Sequence, residues 1–260
     1  MQPSKSESIP PSRRITLILV MLLLLYIFAE AVSYFGLRVL ESMGKQPYAP
    51  TLTSEVSDAH REILSRVVNG EAKYIGYSRE LGWKTLPGGE NELYLANEQG
   101  VRGARSYADI PPDDSLRIAT FGDSYIHGDD VPNESAWSIL MESKEASVEV
   151  MNFGVGGYGP DQGYLRYVKE GRAFSPHVVF IGYQTENINR VVNVFRPFYS
   201  PNTGNPLAKP YFKLVDGDLV LNDNPLGSLS DYSQLLDDPG SVLPQMGEND
   251  FHYKFRYTPG

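Results

Sequence analysis

Residues 115–124 read SLRIATFGDS, an apolar run that closes on Gly122-Asp123-Ser124. The run predicts a strand, the Gly-Asp-Ser turn ends it, and a short helix is expected to follow. The next segments repeat the alternation. SAWSILMESKEA (135–146) predicts a helix and VEVMNFGVGG (148–157) a strand ending in a glycine-rich loop. PDQGYLRYVKEGRAF (160–174) predicts a helix with Tyr164, Leu165, Val168 and Phe174 on its apolar side. HVVFIGY (177–183) is a continuous apolar run, expected to be a strand buried on both faces. Strands alternating with helices imply a parallel sheet with crossover connections, hence an α/β fold.

Further on, KPYFKLVDGDLVLND (209–223) breaks this rhythm. Two alternating runs flank Asp216-Gly217, the turn pair of a tight hairpin. It is expected to be an insertion lying near the site or against the sheet edge. Upstream, 74–108 is rich in Gly, Tyr and Asn and predicts short strands and turns. Residues 41–73 read as a linker carrying one helix, with apolar positions Val56, Ala59, Ile63, Leu64, Val67 and Val68.

At the N-terminus a polar segment (1–14) with Lys5, Arg13 and Arg14 precedes an uncharged stretch from Ile15 to Ala29. Fifteen residues fall short of the ~20 of a spanning helix, and extension to Leu40 admits Glu30 and Arg38. We read 15–40 as an uncleaved signal anchor with its basic flank inside. A cleavable signal peptide, cut at Ala29-Glu30-Ala31, is the alternative, and a buried core helix is a third. The first two place the folded part, 74–260, outside the cytoplasm, periplasmic or at the cell surface.

Composition narrows the function. The chain has 260 residues, 23 Lys plus Arg against 32 Asp plus Glu, and a net charge of −9. An acidic chain without a basic cluster in its folded part argues against nucleic acid as a partner. With no Cys, thiolate metal sites and Cys nucleophiles are excluded. No His/Asp/Glu spacing points to a metal, and no cofactor motif is present: the glycines at 154–159 lack the Lys of a P-loop and do not fit the dinucleotide fingerprint.

Three strand ends carry residues suited to acyl chemistry. Ser124 stands where a helix begins, so its hydroxyl can be exposed and its own N–H can meet a developing oxyanion. In Asn152-Phe153-Gly154-Val155-Gly156-Gly157-Tyr158-Gly159, a glycine lets the backbone approach a reacting carbonyl. Thr185-Glu186-Asn187 offers a side-chain amide as a third donor. Alternatives remain at the first two: a capped turn at 122–124, with Asp123 as the cap, and a structural turn at 154–159.

These residues resemble the GDSL or SGNH hydrolase superfamily, in particular its membrane-anchored bacterial members. The resemblance spans about residues 76–226 and includes 81–83 (LGW) through 97–103 (NEQGVRG). It implies a flavodoxin-like sheet and ester chemistry, often on acetylated carbohydrate. It also implies Ser124 as nucleophile, Gly157 as oxyanion glycine and Asn187 as oxyanion amide. Tyr125 replaces the family's Leu. Gly182-Tyr183-Gln184 occupies the register of its Gly-x-Asn, making Gln184 a second amide candidate. The family's C-terminal Asp-x-x-His does not occur before Gly260, so the base is expected on a part of the protein beyond it, and the 260-residue piece is expected to be inactive. His127, His252 (in Asp250-x-His252) and His60 are weaker candidates, while His177 reads as a packed or solvated residue at the start of a strand; Asp129-Asp130 and Asp237-Asp238 read as solvated loop acids. The expected activity is serine ester hydrolysis. An O-acyltransferase, or a non-catalytic surface protein that binds glycan or assists assembly, is the alternative.

Overall fold

The computed structural model describes residues 10–42 and 55–253, in two units, one up to Pro50 and one from Thr51. The first is one helix, α1 (Pro11–Ser42). Its stretch Ser12–Leu40 has a mean hydropathy of 2.6 and no buried share, long and apolar enough to cross a membrane. The helix starts ahead of Ile15 because Arg13 and Arg14 are good helix formers and nothing interrupts them.

The second unit is a mixed α/β structure. Its centre is a three-stranded parallel sheet of β3 (Leu116–Phe121), β4 (Val148–Asn152) and β5 (Val178–Ile181), in the order β4-β3-β5. Leu116 pairs with Val148 and Thr120 with Asn152 on one side; Ile118 pairs with Val178 and Phe121 with Ile181 on the other. The chain returns from β3 through α3 (Ser124–His127) and α4 (Trp137–Lys144), and from β4 through α5 (Pro160–Lys169). Phe121 and Phe153 stack at 4.9 Å at the heart of this layer.

Ahead of the sheet, β1 (Ile75–Ser78) and β2 (Gly82–Thr85) form an antiparallel pair. The segment 97–103 winds around Asn97, whose Oδ1 accepts from the N–H groups of Gln99 and Val101. Arg102 N then donates to Asn152 O, joining this segment to the end of β4. The hairpin β6 (Tyr211–Val215) and β7 (Asp218–Asn222) is present, with positive φ at Asp216 and Gly217. It is a separate two-stranded sheet that does not pair with β5.

Three expectations need correction. Helix α2 (Asp58–Val68) is no linker. Leu64 and Val67 join Trp83, Tyr158 and Phe198, and residues of α8 (Leu229–Asp237) and α9 (Pro239–Gly247), in one apolar core. The folded unit therefore begins before residue 74. In α5, Tyr164 and Val168 face outward at 51% and 37% exposed, while Gln162, Leu165 and Arg166 face inward. Arg166 can be buried because its guanidinium donates to Phe153 O, Gly100 O and Glu170.

The third concerns β5, whose Val178, Val179, Phe180 and Ile181 are 44, 37, 54 and 38% exposed. An apolar run records what a strand can bury; cover must come from neighbours, and among the described residues β5 is paired on one edge only.

Candidate active site

The carboxyl ends of the three parallel strands are tied together by the backbone. Phe153 N donates to Thr120 O, Val155 N to Gly122 O, and Gly182 N to Phe121 O, all within 2.9 Å. The loops that follow therefore share one rim of the sheet.

Asp123 is the residue on which they converge. It is the N-cap of α3, with Oδ1 accepting from Tyr125 N at 3.0 Å. Its Oδ2 accepts from Gln184 Nε2 (2.8 Å), Asn187 Nδ2 (3.0 Å) and Arg190 Nη1 (3.1 Å). Asn187 and Arg190 lie one turn apart in α6 (Asn187–Val191), so they reach the same carboxylate from one helix face. Arg190 Nη1 also donates to Tyr158 O at 3.0 Å, which draws in the glycine loop. With Asp123 4% exposed, this is a buried, charge-assisted network.

Ser124 is the first residue of α3 and is half-buried. Neither its hydroxyl nor its backbone N–H has a hydrogen-bond partner among the described residues. Gly157 adopts φ +83°, a conformation that disfavours any residue with a Cβ. Trp83 Nε1 donates to Gly156 O at 3.1 Å, which turns the trans peptide so that the Gly157 N–H faces away from the indole. That N–H has no acceptor among the described residues.

The two amide candidates differ in what they have left. Both N–H bonds of Gln184 are used, on Asp123 and, at 3.4 Å, on Glu186. Asn187 Nδ2 spends one N–H on Asp123, and its Oδ1 accepts from Gln184 N at 2.8 Å. It retains one N–H.

None of the four histidines bonds to Ser124. His127 Nε2 meets Tyr74 Oη at 2.7 Å, and its Nδ1 meets Asp129 Oδ1 at 2.5 Å. Asp129 is therefore a ring-orienting partner rather than a solvated acid. Asp238, likewise, caps α9 through Ser241 N. His60 Nε2 and His252 Nε2 are bonded to the carbonyls of Thr203 and Asn189. Asp250 is consumed by the backbone, taking Val194 N, His252 N and Tyr253 N among others. His177 Nδ1 accepts from Arg117 N at 3.0 Å. The expected base beyond Gly260 lies outside the described residues. Among them, no group of His, Asp and Glu is arranged to hold a metal ion.

One cavity, of about 740 Å³, does not contain Ser124; it is lined by Tyr74, Tyr94, His127, Asp129 and Gly156 among others. A second, of about 480 Å³, lies beside Asp123, Phe180 and Gln184. Ser124 lines neither cavity.

Burial pushes the His127 imidazole below its ordinary value of 6.5, against the pull of Asp129. His60 is lowered too, again mainly by burial. With the folded-state pKa depressed, the unfolded chain binds more protons below pH 6.5. The stability these residues contribute is complete above pH 6.5 and is lost as pH falls through that value toward the folded-state pKa. The melting temperature is therefore expected to drop between pH 7 and 5, and His127→Phe to flatten the drop. A wild-type melting temperature unchanged over that range would refute this account.

Sequence reasoning missed Arg190 and Arg196. Arg190 had a signal: Glu186 four residues before it forms an i,i+4 ion pair on one turn. Arg196 had none, since it enters the site from a separate turn, α7 (Arg196–Tyr199).

The chain matches no protein-family model and no curated protein.

Proposed function

We propose that this protein is a serine ester hydrolase of the SGNH type, tethered by α1 with its folded unit outside the cytoplasm. One observation carries the reading. Segments 122–124, 152–159 and 182–190 bond to one another at the carboxyl ends of three parallel strands, and Ser124, next to Asp123 where they meet, has a hydroxyl without a partner among the described residues.

In this reading Ser124 Oγ attacks an ester carbonyl while a base takes its proton. The C–O bond to the alcohol breaks, the alcohol leaves with that proton, and an acyl-enzyme remains. Water then repeats the attack and releases the acid. The oxyanion would be met by the N–H groups of Ser124 and Gly157 and by the remaining N–H of Asn187, each contributing roughly 3 kcal/mol. Asp123 takes no part in bond making; it holds Asn187 and the glycine loop in place through Arg190.

The test is a fluorophosphonate probe on the protein expressed from its complete gene. Labelling at Ser124 that disappears in Ser124→Ala is expected; labelling that survives would remove the nucleophile. Asn187→Ala is expected to lower turnover by about a hundredfold, more than Gln184→Ala, whose amide has no N–H to spare. The reverse order would move the donor to Gln184. The non-catalytic reading draws on the lack of a histidine at Ser124 among the described residues, and an unlabelled but cooperatively folded protein would favour it.

A further inference from the structure

Arg196 has no task in the chemistry above, yet it is held firmly beside it. Its backbone N–H donates to Leu207 O, and its neighbours Phe195 and Phe198 are buried in the core. The guanidinium lies over the Tyr199 ring at 5.3 Å. Its Nε is 3.5 Å from where a Cβ on Gly157 would stand. Arg196 therefore borders the side of Gly157 that a Cβ would occupy, together with Trp83.

Its Nε and Nη1 are buried without an acceptor among the described residues. The nearby carboxylates are spent elsewhere. Asp123 serves Tyr125, Gln184, Asn187 and Arg190, and Glu186 accepts from Arg190 and from the Tyr199 hydroxyl. Burial, and then the Arg190 charge, lower the Arg196 guanidinium to about 10. Buried donors without an acceptor are costly, the more so when charged. Arg196 thus brings buried guanidinium donors without a protein acceptor among the described residues to the side of the glycine turn.

We propose that Arg196 seats a carboxylate carried by the ester substrate itself, beside the Gly157 turn. The proposal rests on the Ser124 reading and adds a substrate class to it: esters of molecules that bear a carboxylate. A monoanion fits better than a phosphate. The cluster already balances two guanidinium groups, Arg190 and Arg196, against two carboxylates, Asp123 and Glu186. Either anion leaves that cluster net negative, but a carboxylate adds one negative charge beside Asp123 and Glu186 where a doubly charged phosphate adds two, so the repulsion is smaller for the carboxylate.

The test is calorimetric titration of the full chain in detergent with monomethyl succinate, dimethyl succinate and inorganic phosphate. Monomethyl succinate is expected to bind about tenfold tighter, or more, than its neutral diester and than phosphate. Arg196→Gln should abolish that preference. Arg196→Lys, which keeps the charge but not the planar donors, should retain part of it. Both variants should melt close to wild type, because the cost of burying Nε and Nη1 without an acceptor offsets the contact of the guanidinium with the Tyr199 ring. No preference in the wild type, or a preference that survives Arg196→Gln, overturns the seat. Tightest binding by phosphate overturns the monoanion assignment. A large fall in melting temperature in both variants would make Arg196 structural and overturn it too. Ser124 labelling is scored separately: labelling without carboxylate preference sinks the seat alone, and preference without labelling sinks the hydrolase reading alone.

Discussion

Asp123→Ala is expected to destabilise the folded unit by about 3–5 kcal/mol, the cost of breaking a buried ion pair and leaving its partner charged. The carboxylate accepts four hydrogen bonds, three of them on Oδ2 from residues 61 to 67 positions away in the chain. Its removal leaves Arg190, whose Nε is already unpartnered, with Glu186 as its remaining acidic partner. It also frees the amides of Gln184 and Asn187 inside the protein. The N-cap of α3 goes as well, worth about 1 kcal/mol of the total. Urea unfolding measures this directly. Asp123→Ala combined with Arg190→Met should recover part of the loss, because no unpaired charge is then left buried. A loss below about 1 kcal/mol for the single variant would mean that the three segments are held by their backbones alone.

The second large effect is expected at Gly154. A Cβ there would overlap the His127 backbone, standing 2.7 Å from its Cα. Backbone cannot swing aside as a side chain can, so either the glycine loop or α3 must move. We expect Gly154→Ala to cost about 3 kcal/mol, the upper part of the range for overpacking. Displacement of Trp83, which is bonded to Gly156 O, should appear as a change in its fluorescence. Gly156→Ala is the control. Its Cβ would meet only Asp129 Oδ2, at 3.2 Å, and that carboxylate is the end of a flexible side chain. Its cost should stay under about 1 kcal/mol. Equal losses in the two variants would show that the close approach at Gly154 is not the cause.

Much of the architecture was legible because it follows from local pattern. The alternation from Leu116 to Ile181 predicted the parallel strands, and Asp216-Gly217 predicted the hairpin. Both depend on residues near in sequence. The candidate site was legible in part: Ser124, Gly157 and Asn187 do lie in segments that meet. What the pattern could not supply was direction. The three segments were expected to converge on the Ser124 hydroxyl, whereas their polar groups converge on the Asp123 carboxylate one residue earlier. A capping aspartate looks the same in sequence whether it faces water or two amides and a guanidinium.

The amino-acid sequence by itself determined the apolar N-terminal helix, the order of strands and helices, and the positions of the turns. Periodicity, turn chemistry and length are properties of neighbouring residues. Only the tertiary structure decided that β5 is exposed, that Arg166 and not Tyr164 faces inward from α5, and that Arg190 and Arg196 belong to the site. Each of those depends on what lies across from a side chain, and burial or a hydrogen-bond partner is supplied by residues remote in the chain.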